Sequence, residues 1–192
     1  KHVSKAFVAI EDRRFYDHFG VDVFGLAPAA MRNVSSGKVE QGGSTLTQQL
    51  AKNLFLTQER TMSRKAQEVI LALWLERNYT KDQILELYLN RVYFGAGAYG
   101  IEAAAQKYYG KSARALTLGE SVVLAGLMKS PSRLAPNRNP EGAAERAAIV
   151  LKEMQDQGMI TPKEARLAIA RPGEARRQTG AGTANYAADW VM

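Results

Sequence analysis

Three stretches of this 192-residue chain hold side chains whose types and spacing could do chemistry. The first is Glu11-Asp12-Arg13-Arg14-Phe15-Tyr16, followed by His18 and Gly20. Glu11 comes directly after Ile10 on an otherwise apolar helical stretch. Four consecutive charges usually face water, so a solvated or salt-bridged face is the plain alternative. The second runs Gln41-Gly42-Gly43-Ser44-Thr45-Leu46-Thr47-Gln48-Gln49, then Lys52-Asn53. Glycines leading into a capped helix leave backbone N–H groups and the helix dipole free for an anion. Gln48 and Lys52 are i,i+4 neighbours, as are Gln49 and Asn53, with the Ser44 and Thr45 hydroxyls ahead of them. The alternative is an N-cap with a polar outer face. The third is Arg60, then Arg64, Lys65 and Glu68 at i,i+4 and i,i+3 spacing, which by itself reads as surface ion pairs worth about 0.3–0.5 kcal/mol.

Together these stretches supply two carboxylates, Glu11 and Glu68, on separate helices beside a basic cluster. Paired carboxylates are the usual equipment for chemistry at a glycosidic carbon. A hydrolase must protonate a poor alkoxide leaving group. Loss of a diphosphate instead calls for stabilisation of negative charge, which Lys and Arg provide. The combination therefore favours transfer from a sugar diphosphate over hydrolysis. Gly95-Ala96-Gly97-Ala98-Tyr99-Gly100 matches G-x-G-x-x-G, but a dinucleotide site needs a preceding strand and a βαβ unit. A helix precedes it here, so it reads as a turn between helices.

The elements that must position these residues are helical, with almost no strand alternation. Val3–Tyr16 carries Val3, Ala6, Phe7 and Ile10 at helical spacing, with Gly20 as a stop. Asp22–Val34 reads as a second helix, and Lys38–Gly43 as a polar loop. Ser44 or Thr45 caps a third helix to about Leu56. Ser63 is the expected cap of a fourth, with Ala66, Val69, Ile70, Leu73 and Trp74 as its buried stripe. Thr80-Lys81-Asp82-Gln83 and Thr117-Leu118-Gly119-Glu120 are capping boxes. A helix over Ile101–Tyr109, one opened by Asn139-Pro140 and closed by Gly158, and a short one from Thr161 complete the set. The Ser/Gly/Lys content of Val34–Gln41 suits a loop that moves.

Composition bounds the rest. The chain is 46% hydrophobic and 23% charged, enough for a real core. It has no cysteine, excluding disulfides and thiolate metal sites, and only His2 and His18, so a multi-histidine metal site is not expected. A net charge of +7 favours an anionic partner: nucleic acid, an anionic membrane or a phosphorylated substrate. No apolar run approaches the ~18–20 residues of a membrane span. Lys1 is not a natural start, so the chain is expected to be cut from a longer protein. Residues 1–170 read as one domain. Residues 171–192 read as a Gly-, Arg- and Ala-rich linker and the beginning of a further element.

Five motifs, in order, make the chain resemble the peptidoglycan glycosyltransferases (glycosyltransferase family 51) of class A penicillin-binding proteins. They are EDRRFYDHFG (Glu11–Gly20), GGSTLTQQLAKN (Gly42–Asn53), RKAQEVILALWLE (Arg64–Glu76), LYLNRVYFGAGAYGIEAAAQKYYG (Leu87–Gly110) and ESVVLAGLMKSP (Glu120–Pro131). Leu46, Tyr109 and Val122 depart mildly from the family pattern. The resemblance implies a mainly α, lysozyme-like fold with a larger lobe and a smaller membrane-proximal lobe around a cleft. It implies lipid II as substrate, the growing glycan strand as donor, and β-1,4 bond formation with inversion. Glu11 would be the general base for the acceptor hydroxyl. Lys52, Arg60, Arg64 and Lys65 would hold the departing diphosphate. Glu68 would orient basic groups or help hold a divalent cation, Mg2+ or Mn2+, there. Ser44, Thr45, Gln48, Gln49 and Asn53 would bind sugar or phosphate oxygens. Moenomycin-type phosphoglycolipids would occupy the same pocket. The resemblance also implies an anchor helix before Lys1, a place on the outer face of the bacterial cytoplasmic membrane, and other cell-wall synthesis proteins as partners. Val23, Phe24 and Leu26 would approach the bilayer, or else belong to the core. The tail would lead to a transpeptidase domain.

Two other classes compete. A lysozyme-like hydrolase or lytic transglycosylase would share the fold and a glutamate but has no need of the basic set. A non-catalytic module binding membrane or nucleic acid would fit the charge, but no nucleic-acid signature appears, and no nucleic-acid partner is expected.

Overall fold

The computed structural model describes residues 2–25, 43–56, 61–171, 173 and 175. Eight helices can be bounded among them: α1 (His2–Glu11), α2 (Leu46–Phe55), α3 (Met62–Asn78), α4 (Lys81–Arg91), α5 (Ile101–Tyr109), α6 (Leu118–Gly126), α7 (Pro140–Asp156) and α8 (Pro162–Ala170). Two 3-10 turns, Ala113–Ala115 and Leu127–Lys129, join them, and the only β pairing among the described residues is two isolated bridges. The mainly α expectation therefore holds. Of the expected helix over Asp22–Val34 only Asp22–Gly25 is described, with residues 23–25 helical, while the loop Val34–Gln41, Leu26, Arg60 and most of the 171–192 tail lie outside the described residues.

Local chemistry sets the helix starts. Thr45, Thr80, Thr117 and Thr161 each accept from the backbone N–H three residues on, while Gln48, Gln83, Glu120 and Glu164 reach back to the cap. Pro140 follows the Asn139 cap, where a missing N–H costs nothing. Two starts or stops differ from expectation. Thr61, not Ser63, caps α3, its hydroxyl accepting from Arg64 N–H. α1 stops at Glu11 and does not run to Tyr16, because Asp12 turns inward to bond elsewhere. The G-x-G-x-x-G segment is a turn between α4 and α5. A Cβ on Gly95 would sit 2.5 Å from the Pro131 carbonyl oxygen, and one on Gly100 2.6 Å from that of Asn90, so both positions exclude a side chain.

The core gathers where α1, α6 and α7 pack together, with α2 laid across α3 and α4. Phe7, Tyr88, Phe94, Tyr108, Leu124, Leu127 and Met154 are fully buried there. Phe7 meets Tyr88 and Phe94 edge to face, at 6.2 and 5.8 Å between centroids.

The expected buried stripe of α3 is overturned. Ala66, Ile70, Leu73 and Trp74 are exposed, and the buried face carries Glu68, Ala72, Leu75 and Glu76. Two glutamates take the inner face because each meets a cation: Glu68 meets Lys65 and Arg64 of its own helix, and Glu76 meets Lys81 of α4. Glu76 accepts from Thr47 Oγ1 at 2.6 Å and from Lys81 Nζ at 2.7 Å, while Lys81 also lies 4.6 Å from the Phe15 ring centre.

Candidate active site

Glu11 is the last residue of α1 and is half-buried. Gln49, in the first turn of α2, donates from Nε2 to Glu11 Oε2 at 3.0 Å. Burial pushes the Glu11 carboxyl above the ordinary carboxylate range. The Gln49 bond pulls it back, as do the positive charges of Arg146 and Lys129, and Asp12 adds a smaller upward push. A carboxylate moved up towards neutrality and still held in its ionised geometry by a donor suits a general base.

Asp12 fastens this corner. Its two oxygens meet His18 Nε2 at 3.0 and 2.9 Å, and Oδ2 also accepts from Leu46 N–H at 2.9 Å. Thr45 Oγ1 donates to the Gly20 carbonyl at 2.6 Å. The turn after α1 is thus bound to the start of α2 from both sides. The expectation of a free anion site at that helix start needs correcting. Asp12 occupies it, since a carboxylate within the chain satisfies the first free N–H and complements the dipole. Thr45 and Gln48 change role for the same reason. Both are buried and bonded to each other as a capping box, so they hold α2 in place instead of facing a ligand.

Gln49 Nε2 also lies 3.5 Å from the Ser44 carbonyl, and Ser44 Oγ accepts from Lys65 Nζ at 2.7 Å. Lys65 pairs in turn with Glu68 Oε1, and Arg64 stands 3.8 Å from Glu68 Oε2. An unbroken line of polar contacts therefore runs Glu11–Gln49–Ser44–Lys65–Glu68, joining α1, α2 and α3. Glu68 is 3% exposed, so the surface ion-pair alternative fails for it. Arg64 Nε is buried with no partner, and Lys65 remains substantially accessible. Lys52 and Asn53 are exposed on the next turn of α2, while Arg60 lies outside the described residues. Both Glu68 oxygens already face cations, and among the described residues no three His, Asp or Glu converge.

One functional neighbour escapes sequence inspection. Tyr88 of α4 donates from its hydroxyl to Gln49 Oε1 at 3.1 Å while only 1% exposed. Its i+3/i+4 apolar spacing marks it only as core, and nothing local announces the partner 39 residues away.

A helical frame that sets a buried-edge glutamate on the same wall as a cation-bound second glutamate is equipped for glycosyl chemistry. Residues 1–155 match the family described as Transglycosylase, and the chain belongs to that family. Penicillin-binding protein 1A of Aquifex aeolicus (strain VF5) is 48% identical over 191 residues, covering 100% of this chain and 26% of its own length. Penicillin-binding protein 1F of Bacillus subtilis (strain 168) is 48% identical over 89% of this chain and 24% of its own. Penicillin-binding protein 1A of Escherichia coli (strain K12) is 52% identical over 83% of this chain and 19% of its own. A crystal structure of penicillin-binding protein 1A from Haemophilus influenzae is 41% identical, covers 52% of this chain and 15% of that one, and gives a TM-score of 0.49. The chain thus spans about a quarter or less of the length of these relatives.

Proposed function

We propose that this chain is the glycosyltransferase unit of a class A penicillin-binding protein and polymerises lipid II into β-1,4-linked glycan. The observation that carries it is the contact line from Glu11 to Glu68, which sets a base and a cation cluster along one wall. Glu11 takes the proton from the acceptor's 4-hydroxyl as that oxygen attacks the donor's anomeric carbon. The carbon–oxygen bond to the diphosphate breaks, and the electron pair leaves with undecaprenyl diphosphate. Attack opposite an α-linked diphosphate gives the β product. Lys65 and Arg64 meet the charge of the departing group, with Lys52 and Arg60 in the same role, and Glu68 holds the first two in place. Ser44, Gln49 and Asn53 offer hydrogen bonds to sugar or phosphate oxygens. The site lies in a cleft between two lobes, open to moenomycin-type phosphoglycolipids. The parent protein carries an anchor helix and a transpeptidase domain, stands on the outer face of the cytoplasmic membrane, and works with other cell-wall proteins.

The deciding experiment is conversion of labelled lipid II in detergent. Polymer is the expected product, and Lys65→Ala lowers its rate ~10²-fold through loss of one leaving-group contact. Reducing-end products released from lipid-free glycan, with no polymer from lipid II, would identify a hydrolase instead.

Membrane contact is supported by exposed apolar side chains. Val23 and Phe24 are 68% and 76% exposed, and Phe55, Met62, Ile70 and Trp74 stand out from α2 and α3. Among the described residues no helix is long and apolar enough to cross a bilayer, so these groups would rest in the interface. Replacing Ile70 and Trp74 together by Ser is expected to weaken binding to vesicles containing anionic lipid ~10-fold. Unchanged co-sedimentation would remove α3 from the membrane-facing surface.

A further inference from the structure

Gln49 has a two-sided amide between two partners. Nε2 faces Glu11 at 3.0 Å and Oε1 accepts the Tyr88 hydroxyl at 3.1 Å. Turning the amide over would set its oxygen against an ionised Glu11. A ring that pins Oε1 from the far side keeps the amide from turning. Tyr88 is suited to this because its own ring is packed in the core. It is buried on α4, packed edge to face against Phe7 of α1, the helix that ends in Glu11. Burial, and then the Glu11 charge, push its phenol well above the usual range, so it remains a donor.

Resting on glycosyl transfer as the site's reaction, we propose that Tyr88 is a positioning residue: through Gln49 it holds Glu11 in the orientation and charge state that accept the acceptor's proton. Tyr88 touches no substrate. It acts by removing one rotational freedom from the amide that touches the base. α4 is thereby tied through Gln49 to the reacting carboxylate at the end of α1, over and above the Phe7–Tyr88 ring contact.

Tyr88→Phe keeps the ring and the Phe7 contact and deletes only the hydroxyl. The expected result is a rise of ~0.5–1 pH unit in the Glu11 pKa, followed by carboxyl-carbon NMR titration of the ligand-free protein. Gln49→Ala is expected to raise it by a similar amount, and the double variant no further, since both changes break one chain. In lipid II polymerisation by Tyr88→Phe, the acid limb of the kcat profile moves upward with the pKa and KM stays within about twofold. A Glu11 titration unmoved by Tyr88→Phe, or shifts that simply add in the double variant, would overturn the positioning role. Loss of stability in Tyr88→Phe with an unchanged titration would mark the hydroxyl as structural only. Wild-type protein that makes no polymer while the titrations behave as expected would sink glycosyl transfer and leave the control of Glu11 by Tyr88 standing.

Discussion

Glu11→Gln is expected to abolish polymer formation, lowering the rate ~10³-fold or more at neutral pH. General base catalysis alone contributes ~10²–10⁴-fold. The substitution is close to isosteric and leaves the amide–amide contact with Gln49 available, so the loss reports proton transfer and not misfolding. Stability supplies an internal control. Because burial raises the Glu11 pKa in the folded chain, the folded state binds the proton more tightly than the unfolded state does. Stability from this group is therefore present at low pH and declines as pH rises from the ordinary carboxylate value through the raised one. At neutral pH the ionised Glu11 is a cost, and Glu11→Gln should unfold at the same or higher denaturant concentration than wild type. The same raised pKa places the acid limb of wild-type activity above the ordinary carboxylate range. An inactive variant that is also destabilised would leave the base unassigned. A stable variant with near-wild-type rate would remove Glu11 from catalysis and turn attention to Glu68.

The largest stability effect should come from Asp12→Ala. Asp12 and His18 have side chains only 4% exposed, and His18 Nδ1 is already buried with no partner. Removing the carboxylate leaves His18 Nε2 and Leu46 N–H buried and unpaired, each costing ~1–3 kcal/mol. A loss of ~3 kcal/mol or more in urea unfolding is expected. Polymerisation should fall as well, because the start of α2 carries Gln49 to Glu11. A change under ~1 kcal/mol would show that the corner relaxes or admits water and that Asp12 does not fasten it. The neighbouring Glu76–Lys81 pair offers a contrast. There Thr47 and Phe15 supply further contacts to the glutamate and the lysine, so loss of one member strands fewer groups.

Much of this protein could be read from residue order alone, and the physical reason is that the signals were local. Threonine followed three residues later by Gln or Glu marks a helix start through bonds made within four residues, and four such starts appear where expected. The helical class, the turn at Gly95–Gly100, and the pairing of Glu68 with Arg64 and Lys65 at i−4 and i−3 rest on the same short range. What only the tertiary structure decided involves partners far apart in sequence. Periodicity showed that α3 has an apolar face but not which face turns inward. The choice went to Glu68 and Glu76 because Lys65, itself held by Ser44 of α2, meets the first carboxylate, and Thr47 and Lys81 meet the second. The vacant anion site suggested at the start of α2 is filled by Asp12, 34 residues away. Tyr88 reads as one more core aromatic until the fold sets its hydroxyl against Gln49, 39 residues earlier. Residue types and spacing name the groups able to do the chemistry, but their exposure, partners and acidity arise from packing between helices, which no local pattern encodes.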